Sequence, residues 1–389
     1  MNTMPSPDFD HLLFHATTSR GHEPILQREL QDFGAQATRL IPGGVEFEGD
    51  ITLGMRTCLW SRVCNRVHVR IGEDRLRNEK QLYQSVRALP LAQWFHPDFP
   101  IVVHAQARGA IVTNSMYATM VAKDAVCDAM RDLYGRRPGV DRENDLATAL
   151  DVQIINERVY YGISLQGAPL HKRGYRARDI DAPIRETLAA GLLMFAEWDP
   201  REPLHDPCCG SGTIVFEAAM MAADMAPGFL RSFGFQGWAH FASFESEWLL
   251  LREEAQQRRR SKIRSAILGT DIDSRNALSA CRTNNVALGI EGISFAQADA
   301  LLLRPMIAPG LFAFNPPYGE RMGRDREAAE NLLRGIGAAI RKCPEHRAAL
   351  IAPTAMIESL GGRFDRTVRV ANGKLDCTMG VTRRVGTKA

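Results

Sequence analysis

The stretch LFAFNPPYGERMG, residues 311–323, decides how the rest of the chain reads. Leu311, Phe312, Ala313 and Phe314 form an unbroken apolar run, the pattern of a strand buried on both faces of a parallel sheet. Asn315 then falls where that strand ends, and in open α/β sheets ligands bind at the carboxyl ends of strands. Pro316 and Pro317 stiffen the turn that follows, and Tyr318 supplies a flat ring. These groups suit a substrate bearing an exocyclic amino group on a nucleobase. Such an amine is a poor nucleophile, because its lone pair is delocalised into the ring, so the pair must be oriented before it can attack. The Asn315 amide oxygen and the Pro316 carbonyl can each accept one N–H, while Tyr318 offers a face for the base. Taken alone, Asn-Pro-Pro-Tyr also fits a plain turn with a tyrosine packed behind it.

The flanking chain supports the first of these readings. Across the last ~200 residues, strand and helix patterns alternate, with strands expected to end at His205, Thr270, Ala296, Phe314 and Ile351. Helical runs over 213–226 and 328–340 lie between them, which predicts a doubly wound parallel sheet. The chain closes with two strand patterns, 366–371 and 374–381, around Asn372-Gly373, a strong hairpin signal.

The first strand of that sheet runs into DPCCGSGTIVFEAA, which begins at Asp206 and places Gly210, Ser211 and Gly212 before an apolar helix. Glycines allow close backbone approach, and a helix N-terminus offers free N–H groups. Neither a GK[ST] ending nor GxGxxG is present, which argues against ATP and NAD. An acidic residue before the glycines repels pyrophosphate but attracts a cationic amine, as in S-adenosylmethionine. A second acidic strand end, GTDID, carries Asp271, Ile272 and Asp273 and suits ribose hydroxyls. A third, QADA, carries Asp299 and Ala300 and suits an adenine amino group, although each acid singly reads as a cap or turn residue. About 59 residues separate Gly212 from Asp271, where a compact unit uses about 20. Residues 226–264, with Trp238, Trp248 and a basic run from Arg258 to Arg264, therefore read as an insertion, either a lid over the substrate or a packing element.

Upstream, residues 171–186 read HKRGYRARDIDAPIRE. Lys172, Arg173, Tyr175 and Arg176 make this either a solvated linker or a segment that contacts RNA phosphates and stacks on bases. Before it, residues 1–62 form a small α+β pattern: a strand at 12–16, an apolar helical stripe closed by Gly34, and a Gly43-Gly44 turn. Residues 63–167 form a second α+β pattern, with a helix ending at Gly135 and a hairpin turning at Asn156-Glu157. Neither pattern shows catalytic residues.

The 389 residues suggest two or three domains, and 45% apolar against 24% charged content is that of a folded globular chain. A net charge of +3 is weak evidence for nucleic acid, so any basic surface has to be local. The eight cysteines form no CxxC pair and no metal-ligand spacing with histidine, so they are expected to be cytoplasmic thiols with no metal site. No signal sequence and no long apolar span is apparent, so neither export nor a membrane is expected.

Together, DPCCGSGTIVFEAA, GTDID, QADA, NPPYGER and the preceding APIRETLAA resemble class I, Rossmann-like S-adenosylmethionine-dependent methyltransferases that carry a THUMP domain. DMAPGF, GFQGW and NPPYGERMG are similar to the bacterial 23S ribosomal RNA guanine-N2 methyltransferases. The resemblance implies a ferredoxin-like domain at 1–62, a THUMP domain at 63–167, a basic linker at 168–181 and a methyltransferase domain at 182–389. It places the cofactor loop on Asp206, Gly210, Ser211 and Gly212, the ribose acid on Asp271, the adenine contact on Asp299 and the catalytic tetrapeptide on Asn315 to Tyr318. It puts Thr187 near the methionine end of the cofactor. The partner it implies is large-subunit ribosomal RNA or an assembly intermediate. Some relatives carry a second methyltransferase domain, and with the chain stopping at Ala389 a single activity is expected. Rival readings are a tRNA guanine-N2 methyltransferase of the same architecture, a DNA adenine-N6 methyltransferase, and an inactive RNA-binding protein.

Overall fold

In the computed structural model the described residues are 5–108, 111–178, 184–306, 308–318, 326–373 and 375–382. Asp179 and Asp181 of the linker, Ala182 and Pro183 after it, and Gly319 to Gly323 of the catalytic stretch lie outside them. Two seven-stranded sheets organise the described residues.

The first sheet begins with β1 (Leu12–Thr17), α1 (Glu23–Asp32), β2 (Thr38–Ile41), β3 (Gly44–Gly49), α2 (Ile51–Trp60) and β4 (Arg66–Arg75). It continues with α3 (Gln81–Arg87), β5 (Ile101–Arg108), α4 (Ser115–Tyr134), β6 (Thr148–Ile155) and β7 (Arg158–Ser164). Strand order is β2-β3-β1-β4-β7-β6-β5. β4 pairs antiparallel with β1 on one side and with β7 on the other, so a single sheet runs through the boundary expected at residue 62. The parallel pair β5 and β6 needs a crossover, and α4 provides it. Asn114 caps α4 by accepting from the Met116 and Tyr117 N–H groups, and Gly135 ends it at φ +76°, a left-handed conformation that glycine adopts without strain. Alternate residues such as Phe14, Val67, Val69, Val152 and Ile163 point into one core.

The second sheet is built from α5 (Glu186–Phe195), β8 (Leu204–Asp206), α6 (Thr213–Ala222), α7 (Glu245–Arg258), β9 (Lys262–Asp271), α8 (Ala277–Leu288) and β10 (Glu291–Gln297). β11 (Leu311–Phe314), α9 (Arg326–Arg341), β12 (Arg347–Pro353), β13 (Arg366–Asn372) and β14 (Leu375–Val381) complete it. Strand order is β10-β9-β8-β11-β12-β14-β13. The first five run parallel, and β14 pairs antiparallel with both β12 and β13. The expected strand ends fall within two residues of the observed ones, because Gly, Pro and Asp mark each exit. All four β11 residues are fully buried, as an unbroken apolar run requires.

Of the two readings of residues 226–264, the structure decides for packing. Phe233, Phe235, Trp238, Phe244, Trp248 and Leu251 join the core of the first sheet, not that of the second. Trp238 meets Trp94 edge-on at 5.4 Å, and Phe244 meets Phe9 at 5.1 Å. Arg56 of α2 pairs with Glu254 of α7 at 2.9 Å. The basic run braces the same junction: Arg258 lies 3.9 Å over the Trp60 ring and pairs with Asp224. The insertion thus extends an arm of the second domain into the hydrophobic core of the first.

A buried ion pair anchors the linker beneath this arm. Arg173 donates from Nε and Nη2 to the two carboxylate oxygens of Glu217 on α6, at 3.1 and 3.2 Å. The same guanidinium donates to the Leu170 and Arg62 carbonyls at 3.0 and 2.6 Å. Arg173 is 2% exposed and Glu217 is fully buried, so removing one partner strands the other charge in a low-dielectric interior. Chemical denaturation of Glu217→Gln and Arg173→Met is expected to show losses of about 3–5 kcal/mol each. Simultaneous replacement by apolar residues should recover most of the loss, and single losses below about 1 kcal/mol would show that the pair is not structural.

Candidate active site

The chain leaves β8 for β9 and β10 on one side, then returns to β11 on the other, so the strand order reverses between β8 and β11. A crevice forms at that point in such sheets, beyond the carboxyl ends of the strands. The register sets Leu311 and Phe312 opposite Leu204 and His205, so Asp206 and Asn315 emerge on neighbouring strands at the same edge. Pairing of Asp206 with Gly269 and of Gln297 with Asp271 extends that edge to Asp271 and Asp299. Three acids and one amide are therefore aligned along four adjacent strand ends.

Local chemistry shapes the loop after β8. Gly210 and Gly212 adopt φ +53° and +88°, where a side chain would be strained, and a Cβ on Gly212 would lie 2.6 Å from the Phe216 ring. Asp271 Oδ2 accepts from the Gly210 N–H at 2.9 Å, and its Oδ1 accepts from the Asp273 N–H at 3.0 Å. These bonds tie the glycine loop to the end of β9 while each oxygen keeps a further lone pair. Asp206 is buried, and its Oδ1 accepts from the Cys208 N–H at 3.1 Å. Burial, reinforced by the nearby Asp271 charge, pushes the Asp206 carboxyl well above the usual carboxylate range. A cationic ligand would offset both effects, so the loop fits the ammonium and sulfonium of S-adenosylmethionine better than an anion.

Asp299 caps a short turn that contains Ala300, accepting from the Leu301 N–H at 2.9 Å. Gln297 donates to the Ile272 carbonyl at 2.9 Å and holds that residue with its side chain 69% exposed beside Asp271. An exposed isoleucine held in place beside Asp271 offers an apolar surface against which a flat ring can lie. Asp273, by contrast, is occupied as a helix cap, accepting from Arg275 and Asn276 N–H groups.

On the substrate side, Asn315 and Pro316 are buried, and Pro317 and Tyr318 are partly exposed. The Asn315 amide oxygen has no hydrogen-bond partner among the described residues. Buried polar atoms of this kind are rare, since each costs about 1–3 kcal/mol. The Tyr318 hydroxyl accepts from Asn372 Nδ2 at 3.0 Å, which fastens the ring to the terminal hairpin.

Three of the four expected RNA contacts need correction. Arg173 is locked to Glu217, and Tyr175 is 1% exposed and packs on Phe216 with ring centroids 5.2 Å apart, so neither faces solvent. Arg176 is engaged as well: it donates to Glu186 Oε1 at 2.9 Å, Ser211 Oγ at 3.0 Å and Thr213 Oγ1 at 3.0 Å, bracing the glycine loop. Lys172 alone of the four is exposed. Thr187 is buried and donates to Asn65 Oδ1 at 2.8 Å, across the junction between the two sheets. A residue with no sequence signal completes the brace. Asn284 of α8 accepts from the Ala177 and Arg178 N–H groups at 3.0 and 2.9 Å and donates to the Arg178 carbonyl at 2.9 Å. It lies more than 100 positions from its partners, beyond the reach of any motif.

Comparisons with known proteins agree with this architecture. The RlmL ferredoxin-like domain family matches residues 14–68, the THUMP domain family residues 77–163, and the RMKL-like methyltransferase domain family UPF0020 residues 173–380. SMU.472, described as a candidate methyltransferase and solved in complex with SAH, is 26% identical with a TM-score of 0.87, the match covering 97% of this chain and all of that one. A predicted N6-adenine-specific DNA methylase from Listeria monocytogenes is 29% identical at TM-score 0.82, over 95% of this chain and 96% of the other. TrmN from Thermus thermophilus, 19% identical at TM-score 0.65 over 95% of this chain and 98% of its own, shares the fold. With the methyltransferase family covering more than half of the chain and both N-terminal modules present, the protein belongs to the RMKL-like family as a THUMP-containing, S-adenosylmethionine-dependent class I RNA methyltransferase of the RlmL type.

Proposed function

We propose that the protein methylates the exocyclic N2 amine of a guanine in 23S ribosomal RNA. The observation that carries this reading is the buried Asn315 amide oxygen, without a partner among the described residues, beside the strand-order reversal. An acceptor left open at a ligand crevice is explained by a donor that arrives with the substrate. A base amine supplies it. The Pro316 carbonyl takes the second N–H, Tyr318 stacks on the ring, and the nitrogen lone pair is aimed toward the glycine loop. Asn315 and Pro316 thus act by orientation, and no strong general base is needed. Bound S-adenosylmethionine supplies an electrophilic methyl group. On the protein side, Asp206 and the loop at Gly210, Ser211 and Gly212 would hold its amino acid end with Thr187 nearby, Asp271 its ribose, and Ile272, Asp299 and Ala300 its adenine. The guanine must leave its stack to reach the site, at a cost of a few kcal/mol offset by stacking and phosphate contacts. The choice of guanine N2 in large-subunit RNA rests on the similarity of NPPYGERMG and the accompanying motifs to that family.

Nucleoside analysis after transfer of labelled methyl groups tests the substrate directly, using ribosomal RNA, tRNA and duplex DNA from cells lacking the protein. N2-methylguanosine confined to 23S RNA is the expected result, while label in tRNA or in DNA adenine replaces the reading with the corresponding rival. Asn315→Ala is expected to lower single-turnover transfer by about 100-fold or more, with cofactor affinity changed less than about threefold. Transfer within about threefold of the parent would remove Asn315 from the catalytic role.

A proton should accompany cofactor binding. The Asp206 carboxyl, raised by burial when free, must ionise to face an ammonium, so its bound-state pKa is lower than its free-state value. Affinity should therefore rise with pH through that window, with proton release detectable by calorimetry in buffers of different ionisation heat. Asp206→Asn should weaken binding and flatten the pH profile, and a parent profile already flat over the acidic range would refute the assignment.

A further inference from the structure

Beside the cofactor loop, on the side facing the first sheet, lies a cleft of about 620 Å³. The linker, the start of α5, the loop before β6 and the insertion converge on it, so it exists only where the two domains meet. Two of its cations, Arg173 and Arg176, are neutralised by Glu217 and Glu186. The remainder of its charge is not.

Arg231 is largely enclosed and donates to the carbonyls of Pro169, Lys172, Gln166 and Ala168 at 2.7, 3.1, 2.9 and 2.6 Å. With the Ser232 carbonyl, which accepts from Nε at 3.3 Å, five dipoles satisfy its N–H groups without cancelling its charge, and burial lowers the guanidinium to about 10. Lys172 and Arg185 are exposed at the same cleft, and neither makes an ion pair among the described residues. His171 Nδ1 is buried there without a hydrogen-bond partner among the described residues. Burial holds His171 near 4, and the charges of Arg185, Arg173, Lys172 and Arg66 push in the same direction, which marks the cleft as a region of positive potential. Asp145 places a carboxylate at the rim.

The cations of this lining favour an anionic ligand, and Arg176 links the cleft to the glycine loop. Glu186 follows Arg185 in the chain and holds Arg176, which in turn holds Ser211 of the glycine loop. We infer that this cleft is a seat for an RNA phosphodiester, with Lys172, Arg185 and His171 contacting the phosphate and Arg231 shaping the linker around it. The inference rests on the RNA-methylating reading above, and it adds a named anchoring point one side chain removed from the cofactor loop. A phosphate fixed there would set the distance between the docked RNA and the unstacked base.

Filter binding of an unmodified 23S RNA transcript as a function of salt tests the assignment, with the parent protein compared with Lys172→Gln, Arg185→Gln and the pair. Each lost phosphate contact should reduce the log–log salt slope by about 0.7–0.9. The pair should also raise Kd by about tenfold or more at 0.15 M salt, while calorimetric cofactor binding stays unchanged and shows that the variants are folded. Lys172→Arg, which keeps the charge, should restore most of the slope. An unchanged slope and Kd in the pair would overturn the cleft even if the parent methylates 23S RNA. A reduced slope in protein that binds the transcript but transfers no methyl group would retain the cleft and reject the proposed reaction. Tighter retention of duplex DNA than of RNA, with the same sensitivity to the pair, would overturn the assignment to RNA.

Discussion

The buried pair of Arg173 and Glu217 holds the molecule in one piece. It joins the linker to α6, the helix that carries the glycine loop, and through the Arg62 carbonyl it reaches the end of the first α+β unit. Glu29 of α1 answers from the other side, accepting from Ser61 Oγ at 2.5 Å and from the Arg62 N–H at 2.9 Å. Buried charges demand complete satisfaction, which fixes distances more tightly than apolar contact does. Since the pair spans three segments, the position of the glycine loop depends on the placement of the N-terminal sheet.

That dependence is reinforced by an aromatic arm. Phe233, Phe235, Trp238 and Trp248 leave the methyltransferase domain and complete a core whose other members come from the strands, helices and Trp94 loop of the first domain. Apolar side chains removed from water contribute roughly 25 cal/mol per Å² of buried area, so an aromatic cluster of this size makes separation of the two domains costly. Domains joined in this way present a binding surface and a catalytic crevice at a constant spacing. For a substrate larger than the enzyme's pocket, that spacing is itself a source of selectivity. The cleft at the junction lies where such a ruler would be read.

Within the catalytic domain the chemistry is distributed by topology. Asp206, Asp271, Asp299 and Asn315 come from four separate strands, yet pairing registers bring all of them to one edge. The acids do more than wait for a ligand. Asp271 holds the Gly210 N–H and Asp299 caps its turn, so these carboxylates preserve the shape of the loops at this edge. Asn315 is different, because its amide oxygen is buried with no described partner.

Much of this was legible in the chain because it is local. Apolar runs, glycine loops and the Asn372-Gly373 turn report strand ends, helix starts and the terminal hairpin through steric and hydrogen-bonding preferences that span a few residues. For the same reason, four short acidic or amide motifs, read from the chain, fall at the ends of four adjacent strands. Composition could not say which way a charged side chain points. Lys172 and Arg173 are adjacent in a basic run, yet one is in solvent and the other is sealed against Glu217, a residue 44 positions away. Tyr175 looked like a stacking platform and is core, and the aromatic insertion could have been a lid and is a buried arm. These outcomes depend on partners brought together by folding, and burial and charge pairing are properties of that three-dimensional neighbourhood. Local preference thus determined the elements and the motif order of this protein, while only the tertiary structure decided which polar groups were consumed in holding it together and which were left for a ligand.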